Sequence, residues 1–168
     1  ACGWSVDGGS QVVIADPRQS PTQIIATRPV GGTITESRLV GSALYVAAQT
    51  YRKVTVAPDP KNPDGSVQWE AGLEVSSIDL ADPAHPVTRT TLWYPGYGNV
   101  LSATDRFLFV VTQDPTNWWQ SMVRIIDIAQ PDGTMTVLAT VRPAGRIADK
   151  FKLNLATHPA LGDVLTII

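Results

Sequence analysis

The chain has 168 residues, which fits one domain with a sizeable core. Charged residues make up 17% of it and the formal net charge is −2, so a broad basic face is excluded and nucleic acid is not an expected partner. No segment approaches the roughly 18 consecutive apolar residues of a transmembrane helix, so no membrane span is expected.

Short apolar runs rich in β-branched residues, bounded by Gly, Pro, Asp or Asn, predict strands along the whole chain, and helical periodicity is nearly absent. In chain order, the predicted strands cover residues 11–15, 22–27, 34–40, 43–49, 73–80, 87–94, 99–103, 107–112, 122–128, 135–141, 146–155 and 163–168. The predicted fold class is therefore all-β. Residues 51–72, rich in Pro, Asp, Asn and Gly, are predicted to form a long loop insertion.

Two sets of prolines reveal a repeat. Each set has three members, and in both sets the intervals are 66 and then 48 residues. The sets are Pro17, Pro83 and Pro131, and Pro29, Pro95 and Pro143. The insertion at 51–72 accounts for the longer interval, which leaves a repeat of roughly 48 residues with four short strands, the pattern of a β-propeller.

The strands and the repeat together predict a single partial propeller segment over residues 1–168, with repeat units at about 10–51, 73–119 and 121–168. Two full four-stranded blades are flanked by two half-blades, one holding the third and fourth strands of a blade and the other the first and second. Three ways of completing the ring stay open: a longer parent chain, pairing with further copies, or blades from another chain.

The segments "IDLADPAHP", "TESRLVG" and "AGRIADKFKLNL" carry a family resemblance. They resemble the secreted bacterial and archaeal proteins that have a C-terminal β-propeller domain distantly related to WD-type repeats. The resemblance covers most of the chain and rests on structural motifs. It implies a propeller fold and a secreted, cell-surface or periplasmic location, and it implies no catalytic residues or activity.

Aromatic residues are the main candidates for a binding site. Trp118 and Trp119 are adjacent in a predicted corner between the second and third strands of a blade, and Trp69 flanks the equivalent corner one blade earlier. Tyr94 and Tyr97 lie at a crossover between blades. Both kinds of corner lie on one face of a propeller, and flat amphipathic rings are typical of contact surfaces. These five residues are therefore predicted to bind a protein or glycan partner.

Metal and cofactor signals are few. Asp59, Asp64 and Glu70 could offer oxygen ligands to calcium, but a proline stands at the third ligand position of the loop pattern, so no metal or other cofactor is the primary expectation. His85 and His158 each precede a proline without metal-binding spacing, and both are predicted to lie in solvent-facing turns.

Three functional hypotheses follow. The first is a noncatalytic extracytoplasmic propeller module that recognises a protein or a glycan. The second is a propeller-type hydrolase or lyase with a site in the central channel. Its candidate polar residues on the inner strands are Glu36, Arg38, Arg146, Asp149 and Lys150. The third is an assembly subunit that closes by strand exchange.

Overall fold

The computed structural model describes residues 9–57 and 65–168, and this part of the chain consists of strands, turns and one short 3-10 helix, Lys150–Lys152. Its strands are β1 (Ser10–Asp16), β2 (Gln23–Val30), β3 (Thr33–Val40), β4 (Ala43–Val56), β5 (Ser66–Asp79), β6 (Val87–Pro95), β7 (Gly98–Ala103), β8 (Phe107–Asp114), β9 (Asn117–Asp127), β10 (Thr136–Val141), β11 (Leu153–His158) and β12 (Gly162–Ile167). The prediction of an all-β fold is confirmed. None of the described residues belongs to a helix long and apolar enough to cross a bilayer.

In the described chain the strands form four antiparallel sheets. The N-terminal sheet is β1–β2, the first four-stranded sheet is β3–β4–β5–β6, the second four-stranded sheet is β7–β8–β9–β10, and the C-terminal sheet is β11–β12. Within each sheet every strand pairs with the strand next to it in sequence, so each sheet is an antiparallel meander. The division into two, four, four and two strands agrees with the strand grouping expected from the repeat.

Aspartates at the ends of equivalent strands start the turns that follow. Asp16, Asp79 and Asp127 are the last residues of β1, β5 and β9. Each carboxylate accepts a hydrogen bond from the backbone N–H two residues later, at 3.0, 2.9 and 2.8 Å respectively. Their repetition along the chain therefore has a structural cause, because an Asp side chain satisfies a backbone donor as the chain leaves the sheet.

Side chains alternate between the two faces of a sheet along each strand, and both faces of each four-stranded sheet carry buried apolar residues. One face of the first four-stranded sheet packs against the second four-stranded sheet through Tyr45, Leu73, Leu101, Leu108 and Ile126, among others. Its opposite face packs on the N-terminal sheet, and the far face of the second four-stranded sheet packs on the C-terminal sheet. The sheets are therefore stacked face to face in chain order, with one apolar layer between each neighbouring pair.

Successive antiparallel strands place their connections at alternating ends of the stack. We call one end the crossover end: it holds the three connections between sheets (β2–β3, β6–β7 and β10–β11) together with the β4–β5 and β8–β9 hairpins. The other end, the turn end, holds the remaining connections. Contacts between sheets respect this division, since the Ser42 hydroxyl donates to the Pro131 carbonyl at the turn end and the Gly98 N–H donates to the Gln49 side chain at the crossover end.

The structure corrects the prediction of a long loop over residues 51–72. β4 continues to Val56 and β5 begins at Ser66, and the two strands pair without interruption from Ala43↔Asp79 to Val56↔Ser66. The insertion is thus a two-stranded ribbon (residues 51–56 and 66–71) that extends beyond the other strands of its sheet at the crossover end. The Pro, Asp and Asn residues that suggested a loop concentrate at residues 58–64, which lie outside the described residues. The two arms instead alternate apolar and polar side chains, which is the pattern of paired strands.

The predicted strand over residues 146–155 is also shorter than expected. β11 begins only at Leu153, and the preceding residues form a crossover and the 3-10 turn. Gly145 has a φ of 104°, which bends the chain after Pro143, and the buried Ile147 anchors the crossover against the second four-stranded sheet. The carboxylate of Asp149 accepts a hydrogen bond from the Phe151 N–H and so starts the 3-10 turn.

Candidate functional site

Trp118 and Trp119 lie at the crossover end, at the start of β9, and are 67% and 81% exposed. The regular pairing of β9 with β8 runs from Asp127 to Ser121, and residues 118–120 of β9 then separate it from the last pair, Asn117 with Asp114. Both indoles therefore belong to this irregular segment of the hairpin and not to the regular ladder.

Polar groups hold the hairpin that presents these two indoles. The Asp114 carboxylate accepts from the Thr116 N–H at 2.8 Å and from the Thr116 hydroxyl at 2.7 Å. The Asn117 side chain accepts from the Trp119 N–H, and the Gln113 side-chain amide donates to the Trp118 carbonyl at 3.0 Å. The turn is thus fixed by the backbone and by small polar side chains, without burial of either indole ring.

Asp114 also has an electrostatic role in this hairpin. The hydroxyl and the N–H of Thr116 lower the pKa of the Asp114 carboxyl, and the Arg142 guanidinium, 3.2 Å from it, lowers that pKa further. Asp114 is consequently ionised at neutral pH. Its hydrogen-bond capacity is committed to the turn and to Arg142, which makes it a structural carboxylate.

A strip of exposed rings runs from the β6–β7 crossover along the ribbon. The neighbouring Tyr97 hydroxyl raises the pKa of Tyr51, so the two phenols lie near each other. Tyr51 faces Ala71 across the ribbon, and Trp69, two residues before Ala71, points to the same side. The Lys53 ammonium lies 5.3 Å from the Trp69 ring centroid. Tyr97, Tyr51 and Trp69, each 51% exposed, thus form what we call the aromatic strip.

Gln113 connects the aromatic strip to the tryptophan hairpin. Its N–H donates to the Tyr97 carbonyl at 2.7 Å, while its side chain holds the Trp118 carbonyl. The structure therefore brings four of the five residues selected from the sequence to one end of the molecule: Trp69, Tyr97, Trp118 and Trp119. It adds Tyr51, whose position beside a predicted corner was the only sequence signal for it.

Tyr94 does not belong to this surface. Its ring packs against the apolar layer between the two four-stranded sheets, with the Arg124 guanidinium 4.2 Å from the ring centroid. Burial raises the pKa of Tyr94, and its hydroxyl has no hydrogen-bond partner among the described residues. The side chain is a packing element, because a residue near the end of β6 alternates inwards when its neighbour Trp93 faces the other side of the sheet.

A cavity of about 280 Å³ opens at the crossover end beside Tyr97. Its wall comes from the starts of β3 and β7, the middle of β4 and β9, the end of β8, and the β6–β7 and β10–β11 crossovers. The lining residues are Thr35, Gln49, Tyr97, Gly98, Val111, Thr112, Gln113, Ser121, Arg146 and Ile147. Residues from both four-stranded sheets and from two crossovers thus meet here, which is why no local sequence pattern indicates the cavity.

The polar lining of the cavity is held in place by the backbone. The Gln49 amide donates to the Gly72 carbonyl at 2.9 Å and accepts from the Gly98 N–H. The Ser121 hydroxyl accepts from the Ile147 N–H at 2.9 Å. Gly98 allows the close approach of β7, since a Cβ there would stand 2.8 Å from the Val111 carbonyl oxygen. The cavity is therefore preformed in the free protein.

Two arginines give the cavity a positive character. Arg146 lines it, is exposed, and has no carboxylate within 4 Å among the described residues. Arg124 stands directly behind the wall, 5% exposed, and donates to the Thr112 hydroxyl at 2.5 Å. Burial lowers the pKa of Arg124 and the charge of Arg142 lowers it further, whereas Tyr94 and the Asp114 carboxylate raise it. The Arg124 guanidinium also contacts the Tyr94 ring and the Met122 sulfur.

The other predicted candidates lie apart from this end or are already engaged. Asp59 and Asp64 lie outside the described residues, and Glu70 accepts from the Arg52 guanidinium at 3.1 Å. Within residues 9–57 and 65–168, no three His, Cys, Asp or Glu side chains are grouped so that they could hold a metal ion. At the turn end, His85 lies in an exposed turn, as predicted, and contacts Asp82 at 2.8 Å. His158 is the exposed last residue of β11 and accepts from the Ala160 N–H in the turn that follows.

The polar residues of the channel hypothesis are engaged locally. Arg38 and Glu36 pair along β3 at 2.7 Å, and Asp149 is bound to the Phe151 N–H. Lys150 lies over the Phe151 ring, 5.7 Å from its centroid. Of the five residues only Arg146 lines the cavity. No family model, no curated protein and no solved structure matches this chain.

Proposed function

We propose that the chain is a noncatalytic, extracytoplasmic β-propeller module that recognises a protein or a glycan at its crossover end. The observation that carries this proposal is the grouping of exposed rings there: Trp118, Trp119 and the aromatic strip. Large aromatic side chains lose solvent-exposed apolar surface when a partner covers them, and they dominate the energetics of many interfaces. The extracytoplasmic location rests on the family resemblance of the repeat motifs.

Several features of the sheets support the propeller arrangement. The first strands of the two four-stranded sheets, β3 and β7, lie close together, whereas in the described chain the last strands, β6 and β10, make no comparable contact. The two sheets are therefore close at their first strands and separate towards their last strands, as the blades of a propeller do around its axis. The two-stranded sheets at either side hold complementary halves of a blade, so β12 and β1 are the strands through which a ring would continue.

Recognition is favoured over catalysis by the groups at the crossover end. The hydroxyl of Ser121, buried in the cavity wall, accepts from a backbone N–H, and both histidines lie at the turn end. The described part of this end therefore offers no nucleophile with a neighbouring base. What it does offer is rigid aromatic area beside a polar cavity, which is the composition of a binding surface.

Replacing both indoles tests the proposal. The variant Trp118→Ala/Trp119→Ala is expected to lose glycan or partner capture, because the rings supply exposed contact area, and to keep the melting temperature of the wild type within a few degrees, because polar groups hold the turn. Capture is measured on a glycan array and against a proteome of secreted proteins, and stability by thermal unfolding.

The matched control is Leu39→Ala/Leu161→Ala, which removes two exposed apolar side chains (63% and 74% exposed) near the turn end. This control should capture the same partners as the wild type. Equal capture by the tryptophan variant and the control would refute a role of the crossover end. Unfolding of the tryptophan variant would instead assign both indoles to the structure.

A further inference from the structure

We propose that the cavity beside Tyr97 binds the carboxylate-bearing sugar unit of an acidic glycan, with Arg146 as the carboxylate partner. The inference rests on the proposed recognition function and specifies its ligand. It uses the cavity, whose wall shares Tyr97 with the aromatic strip on which that function was argued in part. Three properties of the cavity support it: charge, size with polar lining, and the rings at its mouth.

The charge of the surroundings favours an anion. Arg146 faces the cavity, and Arg124 adds a second guanidinium behind Thr112. The acidic groups nearest in sequence are already occupied, Asp114 by Thr116 and Arg142, and Asp149 by the Phe151 N–H. The charges of Asp114 and Arg142 both act on Arg124, in opposite directions. Arg146 has no carboxylate within 4 Å among the described residues, so an incoming carboxylate can bind it through two parallel N–H donors.

The volume and the lining suit one sugar ring. A volume of about 280 Å³ lies just below the roughly 300–1,000 Å³ of cavities for drug-sized ligands, which suits a ligand unit as small as one monosaccharide. The lining supplies the amide oxygen of Gln113 and the hydroxyls of Thr35 and Ser121. Side-chain amides and hydroxyls both donate and accept hydrogen bonds, as the hydroxyls of a sugar require.

The rings at the mouth favour a glycan over a peptide carboxylate. Tyr97 belongs both to the cavity wall and to the aromatic strip, which continues through Tyr51 to Trp69 along the ribbon. Flat rings in a line provide successive platforms for the apolar faces of neighbouring sugar units. A glycan whose acidic unit occupies the cavity can therefore extend over the strip, so that one chain uses both features.

The test measures binding of four probes to the whole chain by isothermal titration calorimetry. Tri-galacturonate and sialyllactose carry carboxylates, and methyl-esterified tri-galacturonate and lactose are their neutral counterparts. We expect at least one acidic probe to bind, and its neutral counterpart to bind about 10- to 100-fold more weakly, as is typical when a charged hydrogen-bond partner is lost. Binding should also weaken at high salt, since the interaction is between charges.

Arg146→Gln should weaken the binding of the acidic probe by a similar factor of about 10 to 100. The matched control, Arg106→Gln, removes an exposed arginine at the turn end and should leave binding unchanged. Both variants should unfold at the wild-type temperature. The proposal is overturned if neither acidic probe binds, if Arg146→Gln binds as tightly as the control, or if a tripeptide with a free carboxylate binds better than both sugars. Neutral sugars that bind through the tryptophans alone would overturn it while leaving the proposed recognition function intact.

Discussion

Gly32→Ala is expected to lower the free energy of unfolding by about 3 kcal/mol or more, through backbone strain and overpacking together. Gly32 lies in the β2–β3 crossover with a φ of 81°, in the left-handed region that favours glycine. A Cβ at this position would stand 2.2 Å from the Gln49 carbonyl oxygen, a backbone atom that cannot move aside without disturbing β4. Chemical denaturation monitored by tryptophan fluorescence measures the loss.

Gly41→Ala provides the matched control for this substitution. Gly41 has a φ of 57° in the β3–β4 turn, and no atom lies within 4 Å of the Cβ that alanine would add. Gly41→Ala should therefore lower the free energy of unfolding through backbone strain alone, by about 1–2 kcal/mol. The difference between the two variants isolates the steric contribution of the crossover. Equal losses in both would mean that the β2–β3 crossover does not approach the backbone of β4 as closely as described.

Leu101→Ala is expected to lower the free energy of unfolding by about 2–5 kcal/mol. The side chain is fully buried in the layer between the two four-stranded sheets, where Leu73, Leu108 and Ile126 also pack. Truncation removes apolar contacts from both sheets and leaves a cavity that these rigid strands can fill only in part. Thermal and urea unfolding of the variant against the wild type give the value.

Leu39→Ala, the same chemical change on an exposed side chain of β3, should alter the free energy of unfolding by no more than about 0.5 kcal/mol. A large gap between the two leucine variants is the expected signature of one packed unit that includes both four-stranded sheets. If Leu101→Ala lowered the free energy of unfolding as little as Leu39→Ala, the two four-stranded sheets would not share a core. That result would contradict the face-to-face stacking of the sheets.

Much of the fold follows from local pattern. The strands predicted over residues 43–49 and 107–112 begin at the same residues as β4 and β8. Both are β-branched and aromatic runs flanked by turn residues, which is a strong local signal. The ribbon was missed for the opposite reason. The Pro, Asp and Asn in the sequence at residues 58–64 outweighed the alternation in "YRKVTV" and "SVQWEA", the two arms that pair with each other.

The candidate site was less predictable than the fold. Trp118 and Trp119 could be placed at a corner between strands because Asp-Pro-Thr-Asn marks the turn before them. Tyr94 was misjudged because its burial depends on Arg124, a residue of another sheet. The cavity depends on residues as distant in sequence as Thr35 and Arg146, which only the stacking of the sheets brings together. Such long-range juxtaposition leaves no trace in local periodicity.

Docking of an acidic glycan at the crossover end is tested most directly by hydrogen exchange of the backbone amides in the whole chain, with and without saturating tri-galacturonate or sialyllactose. We predict slower exchange on addition of ligand at residues 97–98, 113–121 and 146–147, since their amides border the cavity and the tryptophan hairpin. The turn end, including residues 104–106 and 159–161, should exchange unchanged. Protection confined to the turn end, or no protection with either ligand, would contradict the account.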